Sequence, residues 1–156
     1  PQPVTANFAP YLLERAQIYM NNDQARNAML DYDAYYKAVN GQVNDLFYYY
    51  REQAALKARQ YQRALDDIVK AVELSPKDLT YRAEHAVVNL RVGRYEESMK
   101  ILNEILKDEP KYGEAYRLLG LCQIQLKKKD EACGNFNKAK ELGDPNVDEL
   151  IKKYCK

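Results

Sequence analysis

Apolar and small residues recur at every third or fourth position along most of the chain, separated by charged and amide side chains. This spacing places the apolar residues on one face of a helix. In the stretch 116–139 the lysine run 127–129 interrupts the pattern and predicts a polar turn. Residues 116–139 are therefore predicted to form two short helices whose apolar faces pack against each other.

The pattern repeats along the chain with a period of 34 residues. Pro76 and Pro110 are separated by this distance, and each follows a leucine-containing run, where proline ends a helix because it cannot continue the hydrogen-bond ladder. The earliest copy is degenerate and needs about two extra residues, placed at Asn40 and Gly41. The period divides the chain into four segments: 9–44, 45–78, 79–112 and 113–146.

Residues at fixed positions of these segments resemble the tetratricopeptide repeat (TPR). The fourth segment carries an aromatic residue, a Leu-Gly pair and an alanine, aromatic, alanine pattern at Tyr116, Leu119, Gly120, Ala132, Phe136 and Ala139. The second segment fits at Tyr48, Ala55, Ala64, Ile68, Ala71 and Pro76. The third segment fits at fewer positions, namely Ala86, Ser98, Leu102 and Pro110.

The resemblance implies an all-α fold, a right-handed superhelical array of about four TPR hairpins over residues 9–146. In such an array each hairpin covers the apolar face of the next, because short helices do not persist alone in water. Residues 147–156 resemble a C-terminal capping helix, with Asp144 and Pro145 predicted as its N-cap and first-turn residues. Residues 1–8 are predicted to be a flexible leader, in which Asn7 caps the first helix.

The charge of the chain excludes some classes of partner. The 24 basic and 23 acidic side chains are interspersed and give a net charge of +1, so no basic surface for nucleic acid is expected. No apolar run approaches the roughly 20 residues that cross a bilayer, so no membrane insertion is expected.

Catalytic and cofactor motifs are not found in the sequence. The single histidine, His85, lies at the repeat position that Leu119 holds in the fourth segment, and it has no nucleophile or metal-ligand motif around it. Pairs of neighbouring carboxylates point about 100 degrees apart on a helix and do not converge on one atom. We therefore expect no enzyme activity, no metal and no cofactor.

The three cysteines allow two interpretations. Cys122, Cys133 and Cys155 are either reduced, buried thiols or include one disulfide. Cys133 lies about as far from the turn at 127–129 as Cys122 does, and as far from the turn at 143–145 as Cys155 does. Their heights along the helices therefore do not select a pair. The TPR register implied by the resemblance turns Ala132 and Ala139 toward the preceding helix and Cys133 toward the following one. The candidate disulfide is therefore Cys133 to Cys155, which requires an oxidising compartment.

The cellular location is expected from two features. The C-terminal segment resembles the ends of exported bacterial TPR proteins, and this favours a periplasmic or otherwise exported location over the cytoplasmic alternative. The chain begins with Pro1 rather than methionine, as expected either of a shortened segment or of a protein whose export signal has been cleaved.

A binding surface is implied by the TPR register. Three consecutive tyrosines, 48–50, cannot all face inward on one helix. The register places Tyr48 in the core and Tyr49 and Tyr50 on the concave face that TPR arrays use for ligands. The complete set of candidate partner-binding residues is Tyr49, Tyr50, Gln53, Leu56, Lys57, Glu84, Val87, Leu90, Arg91, Arg117, Leu118, Leu121, Ile124 and Gln125.

This surface is largely apolar and aromatic with a few cations at its edges, which suits a peptide or a partner helix. The positions that clamp a peptide carboxylate in chaperone-binding TPR proteins hold tyrosine, alanine, glutamate and leucine here, so that clamp is not expected. The alternative is that neighbouring repeats cover much of this surface.

The predicted function is a non-catalytic protein-interaction module that binds a peptide or partner helix. The alternative function is a structural subunit of a larger assembly, which self-associates as a homo-oligomer through its tyrosine-rich surface.

Overall fold

The structure is a computed structural model that describes residues 8–156 of the chain; the predicted capping residue Asn7 and most of the predicted leader lie outside this range. Residues 8–156 contain helices and no strand, which confirms the all-α prediction. The helices are α1 (Ala9–Asn21), α2 (Ala25–Ala38), α3 (Asp45–Lys57), α4 (Tyr61–Leu74), α5 (Leu79–Arg91), α6 (Tyr95–Asp108), α7 (Gly113–Gln125), α8 (Lys129–Glu141) and α9 (Asp148–Tyr154).

The predicted period is visible in the helix boundaries. Helices α3, α5 and α7 begin at residues 45, 79 and 113, which are 34 residues apart. Each is followed by a short turn and a second helix of similar length, so the repeating unit is a helical hairpin. The chain divides into two compact units, of which the first ends at Pro76 and the second begins at Lys77.

The first unit, α1 to α4, has small residues where its helices approach each other. Ala16 and Ala28 are fully buried in the first hairpin, and Ala55, Ala64 and Ala71 are fully buried in the second. An alanine at such a position lets two helix backbones approach closely. The signature positions therefore act as predicted.

The aromatic core of this unit differs from the prediction by one residue. Phe47 is buried, whereas the predicted core residue Tyr48 is only half-buried. Phe47 contacts the rings of Tyr35 and Tyr36 with centroid distances of 5.5 and 6.0 Å. Phenylalanine has no hydroxyl to satisfy and is the less costly side chain to bury.

Two equivalent ion pairs cross the hairpins of the first unit. Arg15 of α1 donates two hydrogen bonds to Asp31 of α2, at 2.8 and 2.7 Å. Arg51 of α3 donates two to Asp67 of α4, both at 2.8 Å. Asp33 joins the hairpins, because it also accepts from Arg51 at 3.4 Å. Such two-pronged contacts fix the geometry of each hairpin.

The second unit, α5 to α9, has two apolar clusters. The first is built from α5, α6 and α7 and includes Ala86, Leu102 and Ile105. The second contains Phe136 and is covered by α9. Gly120 of α7 lies against Phe136, since a Cβ atom placed on this glycine would be 2.4 Å from Cε1 of the ring. The close approach of α7 and α8 therefore depends on residue 120 being a glycine, which has no side chain.

The predicted N-cap of the capping helix, Asp144, is wrong. Helix α9 begins at Asp148, and its N-cap is Val147. Asp144 instead accepts a hydrogen bond from the backbone nitrogen of Asn146 at 2.7 Å, and it forms an ion pair with Arg117 at 3.0 Å. Because these contacts occupy the carboxylate oxygens of Asp144, its side chain stabilises the turn before α9 and does not cap the helix.

A disulfide joins the cap to the last hairpin. Cys133 of α8 and Cys155, directly after α9, have an S–S distance of 2.05 Å and Cα atoms 5.6 Å apart. This is the pair that the TPR register favoured. Cys122 is a free, buried thiol, and burial raises its pKa. No residue of α9 is fully buried, but Leu150, Ile151 and Tyr154 pack against the Phe136 cluster, so the cross-link adds to an apolar attachment of the cap.

Candidate functional site

The candidate site is an open groove in the first unit, with a cavity volume of about 660 Å³. Its walls come from α1, α2, the connection 39–44 and the first turns of α3. The residues that line it are Leu13, Gln17, Tyr32, Tyr35, Gly41, Gln42, Val43, Asn44, Leu46, Phe47 and Tyr50. A volume of this size is within the range of pockets that hold ligands.

The floor of the groove is aromatic. Tyr32 and Phe47 are buried and meet edge to face, with ring centroids 5.9 Å apart. Tyr35 stacks on Phe47 at 5.5 Å. Burial raises the pKa of Tyr32 to about 12, so its hydroxyl stays protonated and neutral at physiological pH. The floor therefore presents rigid apolar surface without charge.

The rim of the groove exposes large apolar side chains. Leu46 is 43% exposed and Tyr50 is 42% exposed. Both belong to the first turns of α3, which Asn44 caps by accepting a hydrogen bond from the backbone nitrogen of Phe47 at 3.0 Å. The rim is thus held by a capped helix terminus. Exposed apolar groups beside an apolar cavity are typical of an interaction site.

Only one residue of the predicted binding set in this unit lines the groove. Tyr50 does so, whereas Tyr49, Gln53 and Leu56 lie outside the lining and are half-buried. Lys57 is exposed and pairs with Asp23 at 3.4 Å. Their role in binding stays a prediction.

The predicted set in the second unit is partly structural. Leu118 is 3% exposed and belongs to the apolar core, so its assignment to a binding surface is wrong. The TPR register assigns Leu118 by its helix face alone. It does not account for the residues of α5 and α6 that pack against this side chain. Arg117 is held by Asp144 and by Glu114, at 3.0 and 3.3 Å.

The other predicted residues of the second unit are more accessible. Val87, Leu90 and Leu121 are half-buried and pack against the core cluster that contains Leu118. Ile124 packs against the cluster under α9. Glu84 is half-buried, and the exposed members of the set in the second unit are Arg91 and Gln125.

Sequence reasoning missed most of the groove. Leu13 and Gln17 hold the positions in the first hairpin that Tyr49 and Gln53 hold in the second, but the predicted set included no residue of the first hairpin. Tyr35 and Leu46 were not among the ligand positions of the register. The signal that could have found them is the irregular spacing near Asn40 and Gly41, because an insertion between repeats alters the surface beside it.

Two kinds of feature are absent from residues 8–156. Within them, no group of three or more His, Cys, Asp or Glu side chains is arranged to hold a metal ion. None of the helices in this part of the chain is both long and apolar enough to span a bilayer.

Comparison with known families identifies the repeat. A family model described as "Anaphase-promoting complex, cyclosome, subunit 3" matches residues 21–105, more than half of the chain, and a model described as "Tetratricopeptide repeat" matches residues 83–147. The chain belongs to the tetratricopeptide-repeat family. The two matches together span the TPR hairpins from α2 to the turn before α9.

Curated TPR proteins resemble parts of the chain. The small glutamine-rich tetratricopeptide repeat-containing protein 2 of Mycosarcoma maydis is 29% identical over 99 residues, covering 64% of this chain and 28% of the relative. Heat shock protein STI1 of Saccharomyces cerevisiae is 31% identical over 101 residues, covering 62% of this chain and 17% of the relative. The chain thus spans less than a third of the length of these relatives.

Solved TPR structures share the fold. YrrB, described as "a TPR protein with an unusual peptide-binding site", superposes with a TM-score of 0.78 at 19% identity, covering 93% of this chain and 74% of YrrB. The first TPR of Spaghetti (RPAP3), bound to the HSP90 peptide SRMEEVD, gives a TM-score of 0.63 at 19% identity, covering 72% of this chain and 90% of that one. At these identities the likeness concerns the fold alone.

Proposed function

We propose that this TPR protein is an interaction module whose first unit binds an apolar peptide segment or partner helix in the groove. The observation that carries the proposal is the open cavity of about 660 Å³ with an aromatic floor and an exposed apolar rim. Apolar pockets with a few polar groups are the usual form of binding sites. The peptide-bound TPR of RPAP3 supports the choice of a peptide as ligand.

The proposed function is non-catalytic. The TPR hairpins supply helical surface, and binding is the function that this family fold supports. A relative with a catalytic name, serine/threonine-protein phosphatase T of Aspergillus oryzae, is matched over only 20% of its length. The matched segment is too small a part of that relative for its phosphatase activity to be inferred for this chain.

A matched pair of tyrosine variants tests the groove. Peptides are selected from a random library on the wild-type chain, and their dissociation constants are then measured by fluorescence polarisation. Tyr50→Ala removes an aromatic side chain from the rim and is expected to weaken binding by about tenfold or more. Tyr61→Ala is the control, because this tyrosine is similarly exposed, at 37%, but lies outside the groove lining.

The contrary results are equally clear. Equal affinity of the two variants would contradict the groove as the binding site, as would a selection that enriches no peptide over the matrix. Thermal unfolding of both variants checks that any loss of affinity reflects the surface and not the fold.

A second candidate function is self-association. It is favoured by the large apolar side chains that α1 and α2 expose, with Tyr11 at 58%, Ile18 at 57% and Leu30 at 68% exposure. Light scattering at several concentrations tests it. A mass that rises with concentration, and that falls in an Ile18→Ser, Leu30→Ser double variant, would support self-association; a constant monomer mass would exclude it.

We place the protein in an oxidising compartment, as an exported protein. The disulfide between Cys133 and Cys155 supports this location, because such bonds persist where thiol reductants are scarce. Alkylation of the protein in cells of its source, before lysis, tests it: labelling of Cys155 would contradict an oxidising location.

A further inference from the structure

The groove exists where the repeat is irregular. The connection between α2 and α3 has six residues, 39–44, whereas the connections 75–78 and 109–112 have four each. The two equivalent ion pairs fix where the extra residues lie. Arg15 and Asp31 are 16 residues apart, as are Arg51 and Asp67, so the helical hairpins match and the extra residues follow Asp31.

The longer connection has a defined backbone. Asn40 and Gly41 both adopt left-handed conformations, with φ of 52° and 70°. The backbone nitrogen of Gly41 donates to the carbonyl oxygen of Tyr36 at 2.8 Å, and that of Gln42 donates to Val39 at 3.1 Å. A Cβ atom on Gly41 would lie 2.9 Å from Oη of Tyr36, so the loop rests directly on this ring. Glycine suits this position because it has no Cβ.

This connection forms one wall of the groove. Gly41, Gln42, Val43 and Asn44 all line the cavity, as do Leu13 and Gln17 of α1. Four of its six residues therefore contribute to the site. The two-residue insertion is what gives the first unit a wall at this place.

Among residues 8–156, every side chain that lines the groove is uncharged. A charged group of a partner would lose its hydration there and gain no counter-ion, which is unfavourable. The polar lining residues Gln17, Gln42 and Asn44 have amide groups. The Oδ1 of Asn44 caps α3 and the Nε2 of Gln17 donates to Asn21, so the Nδ2 of Asn44, the Oε1 of Gln17 and the amide of Gln42 are the groups that can donate to and accept from a ligand. An extended segment needs such partners for its backbone, whereas a helix satisfies its own.

We propose that the inserted connection 39–44 makes the groove selective for an extended, uncharged and apolar segment of a partner protein. The proposal rests on the proposed function of the groove and specifies its ligand. Apolar side chains of the segment contact the aromatic floor, and its backbone hydrogen-bonds to the amides of the wall.

Peptide selection tests the ligand class. Random peptides selected on the wild-type chain are expected to be enriched in leucine, isoleucine, phenylalanine and tyrosine, and depleted in all charged residues, relative to the library. Transferred nuclear Overhauser effects of a selected peptide are expected to show an extended backbone. Enrichment of acidic or basic residues, or a helical bound peptide, would overturn the ligand class while leaving a Tyr50-sensitive groove intact. A selection that enriches nothing would contradict the groove itself.

A charge introduced on the wall tests the role of the connection. Gln42→Lys is expected to improve the affinity for an aspartate-containing version of the selected peptide by about two- to fivefold, as one exposed ion pair allows. Gln62→Lys is the matched control, because Gln62 is also exposed but lies on α4, away from the lining. Equal responses of the two variants would contradict a role for the connection in selectivity.

Removal of the insertion tests the wall directly. Deletion of Asn40 and Gly41 restores a four-residue connection and is expected to weaken binding of the selected neutral peptide at least about tenfold, with the helical circular dichroism retained. If the deletion variant does not fold, Val43→Asp answers the same question, since it places a carboxylate in the neutral wall. Undiminished affinity of either folded variant would overturn the proposal.

Discussion

Single side chains decide how closely the helices of this TPR protein approach. Gly120→Ala would place a Cβ atom 2.4 Å from the Phe136 ring, which is fully buried and has little room to move. We expect the free energy of unfolding to fall by about 1–3 kcal/mol, the usual cost of overpacking a core. Urea denaturation followed by circular dichroism measures the change.

Gly134→Ala is the control for this substitution. Gly134 also lies within a helix, but a Cβ atom there would meet nothing within 4 Å. Alanine favours the helix over glycine, so this variant is expected to gain about 0.5–1 kcal/mol. Destabilisation of both variants by equal amounts would contradict the contact between Gly120 and Phe136.

His85 makes the stability of the second unit depend on pH. Burial lowers the pKa of His85 from its ordinary 6.5, and the nearby Glu97 opposes this only in part. Below pH 6.5 the unfolded chain takes up a proton that the folded chain resists, so the contribution of this histidine to stability is present above 6.5 and lost as the pH falls.

The measurement is the urea midpoint at pH 7 and at pH 5.5, in the wild type and in His85→Gln. The wild type is expected to lose more stability between these values than the variant, because glutamine does not titrate. A larger loss in the variant would show that the histidine is protonated more readily in the folded protein.

At the scale of elements, the disulfide holds the capping helix. Cys155→Ser opens a cross-link with a sequence separation of 22 residues, and loops of this size are worth about 3 kcal/mol. Helix α9 has seven residues, none of them fully buried, and without the cross-link only its half-buried apolar side chains attach it, so we expect it to open more often in the variant. Hydrogen exchange of the α9 amides and urea denaturation measure the two effects.

Reduction provides the control for this prediction. A dithiol reductant should destabilise the wild type as much as the substitution does, and should leave Cys155→Ser unchanged. Thiol titration of the denatured, unreduced wild type should find one free thiol, that of Cys122. Three free thiols would contradict the cross-link.

The ion pair between α3 and α4 is the second element contact to test. The Arg51 and Asp67 side chains are 13% and 6% exposed. Asp67→Ala leaves the guanidinium without its main partner and is expected to cost about 3 kcal/mol. The double variant Arg51→Leu, Asp67→Asn carries the residues that the fourth hairpin has at the same positions, Leu119 and Asn135, and is expected to recover most of that loss.

Thermal unfolding of the wild type, the single variant and the double variant measures this coupling. A double variant less stable than Asp67→Ala would mean that the pair is worth more than the uncharged residues that replace it in the fourth hairpin.

Sequence reasoning predicted the elements well and the ion pairs not at all. The hairpin starts at Asp45, Leu79 and Gly113 follow from a spacing that only a helical repeat satisfies. Arg51 and Asp67 were not paired in advance, because a period assigns positions and not the rotamers that bring two side chains together. Asp144 was placed at a helix start for a similar reason, since Asp-Pro is equally suited to a turn.

For the whole molecule, the family and the kind of function could be predicted, but the place of the site could not. The TPR register assigned ligand-binding positions to the second, third and fourth hairpins, and of these Tyr50 lines the groove while Leu118 is core. The groove depends on the connection 39–44, whose path follows from the left-handed Asn40 and Gly41. The spacing predicted the two extra residues at Asn40 and Gly41 but not the path that their backbone takes.

The most direct test of the central claim is to map the bound peptide by backbone amide chemical shifts of the isotopically labelled chain. Titration with a peptide selected on the wild type is expected to move the amides of residues 13–17 and 41–50 most, because these stretches line the groove. Largest shifts confined to residues 84–91 and 117–125 of the second unit would contradict the claim that the first unit binds the ligand.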